Sequence, residues 1–340
     1  MRYTFWNNKG GTGKSSLAFQ TITEYAILHP TERILAIDLC PQANLSELFM
    51  GGLLGNGGVN LGTLTTPTST CTIGGYFQDR LSTPYNVPTI NPALYTSNPS
   101  SMNNKIPVNI DLIAGDRIVE LQSNSISALS ITQIPGIDTY LKVIDWGNDL
   151  INASNQTNNY DAIFIDTNPS FAIYTQIALA ATDRIIAPVM ADDSSRRALT
   201  NIFSLVYGLN LPSAIYNTYA FNTKLANGGR PLPKIHLVVK NRLTQYMGPA
   251  SAYASVLTSI DNDLNAVLAT HPQYFTFTNL SDGLVDVRDF QTTGVVAFAE
   301  ATPFSRLAIG NHNIFGQYTQ IQHEYLTNCV TAINRIVTRL

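Results

Sequence analysis

The chain has 340 residues, 44% hydrophobic and 13% charged, with 20 Lys+Arg against 23 Asp+Glu and a formal net charge of −3. That length accommodates one large α/β domain or two small ones, each with ample core. The charge balance excludes a globally basic nucleic-acid binder, though not a local basic patch, and no apolar run reaches the roughly 18 residues of a membrane span. Three cysteines (Cys40, Cys71, Cys329) form no C-x-x-C pair, and the histidines (His29, His236, His271, His312, His323) lack metal-ligand spacing, so zinc ligation is not expected.

Residues 2–6 form a short apolar strand. Lys9-Gly10-Gly11-Thr12-Gly13-Lys14-Ser15-Ser16 follows at once, and an apolar-periodic segment over 15–28 predicts a helix. Strand, glycine-rich turn and helix are the context of a phosphate-binding loop. The glycines let successive N–H groups turn inward at a phosphate chain, Lys14 places an ammonium near the outer phosphates, and Ser15 offers a hydroxyl to Mg²⁺. The helix aims its positive end at the same anion. A start this close to the loop leaves no room for a signal peptide, and with unpaired cysteines it predicts a cytoplasmic protein. The ordinary pattern G-x-x-x-x-G-K-[ST] asks for glycine five residues before Gly13. That position holds Asn8, and a second lysine, Lys9, heads the loop.

The run K-G-G-T-G-K-S resembles the deviant Walker A motif of the ParA/MinD family of ATPases. The resemblance implies ATP and Mg²⁺ as ligands, with Gly10, Gly11, Thr12, Gly13, Lys14, Ser15 and Ser16 around the phosphates. It also implies a nucleotide-sandwich homodimer in which Lys9 reaches the partner's phosphates, so that Lys9 matters only when two subunits meet around ATP.

The next strand, 33–38, leads into Asp38-Leu39-Cys40-Pro41-Gln42, with Asn44 beyond. This is similar to the family's D-x-D-P-Q motif, except that Cys40 stands at the second acid, the one held in that family to orient or deprotonate the attacking water. A thiol with an unperturbed pKa of roughly 8.5 cannot accept a proton as a carboxylate does. The expectation is a chain that binds ATP and dimerises but hydrolyses slowly, unless Asp38 or another acid substitutes. Asp38 is the candidate stand-in, beside Lys9 and Lys14, and also a candidate near the metal. The competing reading is that Cys40 merely packs and Asp38 does the positioning.

Residues 51–107 are rich in Gly, Thr, Ser, Pro and Asn, and too long for a plain connection, which predicts an insertion; 218–233 is a similar polar stretch. Strands are expected at 108–113, 162–166, 184–189 and 234–239. The 162–166 run ends in Asp166-Thr167-Asn168-Pro169-Ser170, resembling the family's Walker B segment and implying that Asp166 holds Mg²⁺. Ala181 to Val189 resembles a structural strand of the family. Asn241 matches the strand-end asparagine that reads the adenine edge, since an amide donates and accepts at once. Pro303, in Ala301-Thr302-Pro303-Phe304, lies where the family often closes over the base.

Tyr318, Ile321, Tyr325, Val330, Ile333, Ile336, Val337 and Leu340 have helical spacing. The accompanying polar positions are mostly Thr, Gln and Asn, which favours packing on the sheet over lying on a membrane. Lys234, Lys240, Arg242, Arg288, Arg306, Arg335 and Arg339 are candidates for a basic face.

The expected fold is a single α/β domain over 1–340: a P-loop NTPase with a mostly parallel sheet flanked by helices on both faces. The resemblance implies a ParA-type partition ATPase whose ATP dimer binds DNA nonspecifically, as a nucleoid-associated protein. A ParB-like adaptor would stimulate hydrolysis and release. A MinD-like membrane-cycling ATPase and an ATP-locked scaffold are the rival readings.

Overall fold

The computed structural model describes residues 1–66, 69–243 and 252–340. The apolar runs expected as strands all enter one sheet: β1 (Arg2–Phe5), β2 (Ile34–Asp38), β3 (Ile110–Ile113), β4 (Ala162–Asp166), β5 (Arg184–Val189) and β6 (Lys234–Leu243). A seventh strand, β7 (Leu284–Arg288), completes it. The order is β3-β2-β4-β1-β5-β6-β7, and every neighbouring pair is parallel.

Both faces of this sheet are covered, which is why β2 and β4 are apolar at nearly every position rather than alternating. Leu35 and Ile37 pack with Ile163, Ile165 and Ile185 on one side. Ile34 and Ala36 pack with Phe164, Ile186 and Leu237 on the other. Full burial of a large apolar side chain contributes about 1.5–3 kcal/mol, so these short strands are held by their two flanking layers. The edge strand β7 lacks that signature. Val285 and Val287 are buried between exposed Asp286 and Arg288, the alternation of a strand with one wet face.

Helices α1 (Lys14–Leu28) and α2 (Asn44–Phe49) follow the first two strands, α3 (Asp193–Tyr207) follows β5, and α4 (Gln291–Ala299) follows β7. The 51–107 stretch carries short helices, including Gly57–Gly62 and Ile73–Ser82. It is fastened to the end of α4: Leu54 N donates to Ala299 O at 2.8 Å, Asn103 Nδ2 to Ala301 O at 2.9 Å and Lys105 Nζ to Glu300 Oε2 at 3.2 Å.

The C-terminal region departs from its expected single helical pattern. Tyr318 and Ile321 lie in an antiparallel hairpin, β8 (Gly310–Ile314) and β9 (Gln317–Ile321). Its turn residues Phe315 and Gly316 have φ of 48° and 84°, matching the twist of a two-residue hairpin. Only then does α5 (His323–Val337) begin. It buries Leu326, Cys329, Ala332, Ile333, Ile336 and Val337 against α1 and β7.

Candidate nucleotide site

β1 delivers the chain at the carboxyl edge of the sheet, where Asn7 Nδ2 anchors it to Pro188 O at 2.6 Å. The loop then curls through Gly11 and Gly13, both left-handed at φ of 73° and 81°. Gly13 has a second constraint: a Cβ there would lie 2.5 Å from Asn241 Nδ2. As N-cap of α1 it offers no side chain, and no acidic residue occupies the first turn. The first amides of the helix, which have no intrahelical acceptors, therefore open toward the cleft with the positive end of the dipole.

That cleft has a volume of about 520 Å³, within the range of small-ligand sites. Its polar wall includes Gly11, Gly13, Lys14, Ser15, Ser16 and Cys40, with Gln42 and Asn44 from the α2 side; Gly10, exposed, and Thr12, buried, lie in the loop but outside that wall. Lys14 is buried and folds back over the loop, donating to Lys9 O at 2.9 Å and Asn7 O at 3.5 Å. Burial lowers its pKa, opposed by Asp166 and Cys40.

Ser15 Oγ donates to Asp166 Oδ2 at 2.5 Å, while the other carboxylate oxygen, Oδ1, is buried without a partner. Register places Asp166 beside Asp38 on the adjacent strand. Burial pushes the Asp166 carboxyl up to about 8, with the charge of Asp38 adding to it, and burial pushes Asp38 up to about 6. A hydroxyl and a buried carboxyl with one unpartnered oxygen, at the foot of a phosphate loop, fit a hard divalent cation, whose binding would displace the carboxyl proton.

The sign follows from the shift. A carboxyl whose folded pKa lies above its unfolded value of about 3.9 stabilises the fold below that value, and this is lost as pH rises through about 8. Asp166→Asn is therefore expected to raise the thermal midpoint of the ligand-free chain at pH 8 by a few degrees. The gain should shrink by pH 6, which melting curves at the two pH values check.

Asp38 is not positioned as the sequence suggests. It is fully buried and absent from the cleft wall. Oδ1 accepts from Cys40 N at 3.0 Å, and Oδ2 accepts from Ser46 N at 2.9 Å and Ser46 Oγ at 2.8 Å. Its oxygens fasten the turn that starts α2, which leaves the expected stand-in without a free face. Cys40 does line the cleft, and burial pushes its thiol up to about 12, so it is neutral at physiological pH.

Asn241 lies inside β6 rather than after it. Its Nδ2 donates to Thr12 O at 2.9 Å and its Oδ1 is buried without a partner. The amide thus braces the loop and retains one acceptor. Pro303 is buried away from the cleft wall, because Gln20 of α1 grips its neighbours: Nε2 donates to Thr302 O at 3.2 Å and Oε1 accepts from Phe304 N at 2.8 Å. The wall expected there is built by Val295, Phe298 and Ala299 of α4, with Ile314 of the hairpin. Sequence reasoning did not find that wall, since no motif marks it.

Nor do the candidate cations form one face. Lys240 is buried and paired with Asp261 at 2.7 Å. Arg242 and Arg288 lie at the cleft end of β6 and β7, whereas Lys234 opens β6 at the opposite end, where Arg339 donates to Leu284 O. Arg306 Nη1 donates to Lys105 O at 2.8 Å, and Arg335 is exposed on α5. Lys9 is also placed unexpectedly: its Nζ lies 2.5 Å from Asp192 Oδ2 of its own chain.

A family model described as an AAA domain, AAA_31, matches residues 3–211. Among solved structures, the chain is similar to Cyanothece McdA in complex with ATP, at 15% identity over 98% of this chain and 95% of that one, with a TM-score of 0.59. Apo McdA gives 16% identity, 89% and 91% coverage and a TM-score of 0.58. A putative plasmid partition protein of Borrelia burgdorferi B31 bound to AMPPNP gives 15% identity, 100% and 98% coverage and a TM-score of 0.54. At these identities the likeness establishes the fold. No curated protein sequence matches the chain.

Proposed function

The chain belongs to the AAA-domain family matched over residues 3–211 and is a ParA/MinD-like P-loop ATPase; from that premise we propose that it is a partition-type switch, driven by ATP binding and slow hydrolysis. The observation that carries this reading is Lys9 at the head of a loop whose Lys14 and Ser15 line one cleft, with Asp166 buried directly behind and bonded to Ser15. We assign the phosphates to the amides from Gly10 to Ser16 and to Lys14, and Mg²⁺ to Ser15 and Asp166, with Asp38 supporting them from behind. Bound Mg²⁺ supplies neutralisation of phosphate charge. Asn241 keeps a free acceptor beside the loop, which suits a donor such as the adenine amino group.

In this reading two subunits meet around ATP, Lys9 of each reaches the other's phosphates, and the dimer holds DNA nonspecifically in the cytoplasm at the nucleoid. A ParB-like adaptor then stimulates hydrolysis and release, moving its cargo. The chain is one domain, with 51–107 and 218–233 as insertions. Fold likeness to a partition protein and to McdA supports the class. DNA is favoured over a membrane surface because the apolar face of α5 is covered by α1 and β7 and so is not free for lipid. Among the described residues no helix is long and apolar enough to cross a membrane.

The test is sedimentation velocity of the purified chain with Mg²⁺ and ATP or ADP, with and without a random-sequence DNA duplex at low salt. ATP should give a dimer that binds DNA, ADP a monomer that does not. Lys9→Ala should bind ATP yet remain monomeric. A monomer under every condition would overturn the switch, and an ATP dimer that ignores DNA would overturn the DNA-binding reading.

A further inference from the structure

The inference rests on the reading of Lys9 just given and concerns what that lysine does before a second subunit arrives. Within its own chain, Lys9 Nζ lies 2.5 Å from Asp192 Oδ2 and 3.2 Å from Ser195 Oγ. The pair is partly sheltered, with the lysine side chain 21% exposed and the aspartate 39%. Asp192 is itself fixed. It is the N-cap of α3, and its Oδ1 accepts from Ser195 N at 2.7 Å and Ser194 Oγ at 2.9 Å. Ser195 Oγ in turn accepts from Met190 N at 3.0 Å. The carboxylate therefore cannot follow the lysine outward.

The residue before Lys9 is held to the same helix. Asn201 Nδ2 of α3 donates to Asn8 Oδ1 at 3.0 Å, and Asn8 Nδ2 donates to Pro169 O at 3.0 Å. Two successive residues at the head of the loop, Asn8 where the ordinary pattern has glycine and the additional lysine Lys9, are thus secured to α3 within one subunit. Against the upward push of burial, the hydrogen bonds from Lys9 and the serines hold the Asp192 carboxyl at about 2, so it is charged at physiological pH.

We propose that Asp192 is a positioning residue that holds Lys9 in cis, so that dimerisation exchanges Asp192 for the partner's phosphate oxygens at the Lys9 amine. Two consequences follow. The exchange is favourable only where a phosphate chain carries more negative charge than the single carboxylate it replaces, which gives the assembly a nucleotide threshold. And Lys9 has a role in the single subunit, in addition to the one across the interface.

The test uses the full chain and Asp192→Asn. Asparagine caps a helix as well as aspartate does, so the variant removes the charge and keeps the cap. In the nucleotide-free protein, acetylation of the Lys9 amine by an N-hydroxysuccinimide ester, followed by peptide mass spectrometry, should accelerate about threefold or more as the hydrogen-bonded partner weakens. The ATP concentration for half-maximal dimerisation should fall about tenfold, equivalent to about 1.4 kcal/mol. Unchanged acetylation, or an unchanged or raised ATP threshold, would overturn the proposal. If only Asp192→Ala altered these readouts, Asp192 would be a helix cap and nothing more. A wild-type chain that binds ATP but stays monomeric would instead sink the dimer reading, and the acetylation rate would still decide whether Asp192 holds the lysine.

Discussion

Lys14→Ala should raise the dissociation constant for ATP by at least about a hundredfold. The Lys14 amine is buried at the centre of the loop, held by the Lys9 and Asn7 carbonyls, so it is preorganised where the phosphates would lie. Hydrogen bonds to charged groups contribute about 1.5–3 kcal/mol each, and two of them correspond to a factor of about 10² to 10⁴. The variant also removes the cation that favours ionisation of Asp166, so the carboxyl beneath the loop holds its proton more firmly. Lys14→Arg should not rescue binding, because the planar guanidinium is wider than the ammonium that the curled loop encloses. Calorimetric titration with ATP and Mg²⁺ reads the result directly. Near-wild-type affinity in Lys14→Ala would mean that the cleft is not the phosphate site.

The second large effect is expected from restoring the missing acid. Cys40→Asp should increase steady-state turnover about 10- to 100-fold. The thiol lines the cleft, and at about 12 its pKa leaves it neutral, so it can neither accept a proton nor order water as a carboxylate would. General-base assistance typically contributes 10²–10⁴-fold, and the lower estimate reflects how much phosphoryl transfer depends on positioning and charge stabilisation alone. The gain has a counterpart. A third carboxylate beside Asp38 and Asp166 should lower the melting temperature of the ligand-free variant, with recovery on adding Mg²⁺ and ATP. Cys40→Ala separates chemistry from packing, since it should leave turnover where it was. If Cys40→Asp were no faster than wild type, the cysteine would be a packing residue and the limit on turnover would lie elsewhere.

How much of this was legible beforehand depends on where each signal resides. Contiguous apolar runs such as Ile34–Asp38 and Ala162–Asp166 betray buried parallel strands because burial on both faces constrains every residue. The phosphate loop is readable because its backbone demands glycine at Gly11 and Gly13. β7 was missed although Val285 and Val287 alternate with polar residues, since such alternation over a few residues is a weak signal. The hairpin was hidden by a turn whose first central residue is Phe315 rather than the usual Asn or Gly. Helical spacing from Tyr318 onward was a coincidence of two elements meeting end to end. At the site, motif positions located Lys14, Ser15 and Asp166, but a motif cannot show what a side chain already holds. Asp38 is taken up by the start of α2, Pro303 by the grip of Gln20, and Lys9 by an aspartate more than 180 positions along the chain. Those pairings exist only after folding.

The position of β1 has a consequence for synthesis. This strand is made before both of its neighbours: it sits between β4 and β5, with Arg2 opposite Ile163 and Tyr3 opposite Arg184. At about 5–20 residues per second, some 8–30 s of translation separate its emergence from that of its first neighbour. For that interval an apolar strand with both hydrogen-bonding edges open, followed directly by the loop, waits on the ribosome. The nascent chain thus holds this strand open to aggregation or chaperone capture directly beside the phosphate loop, and the ATP site can take shape only once Asp166 has left the exit tunnel.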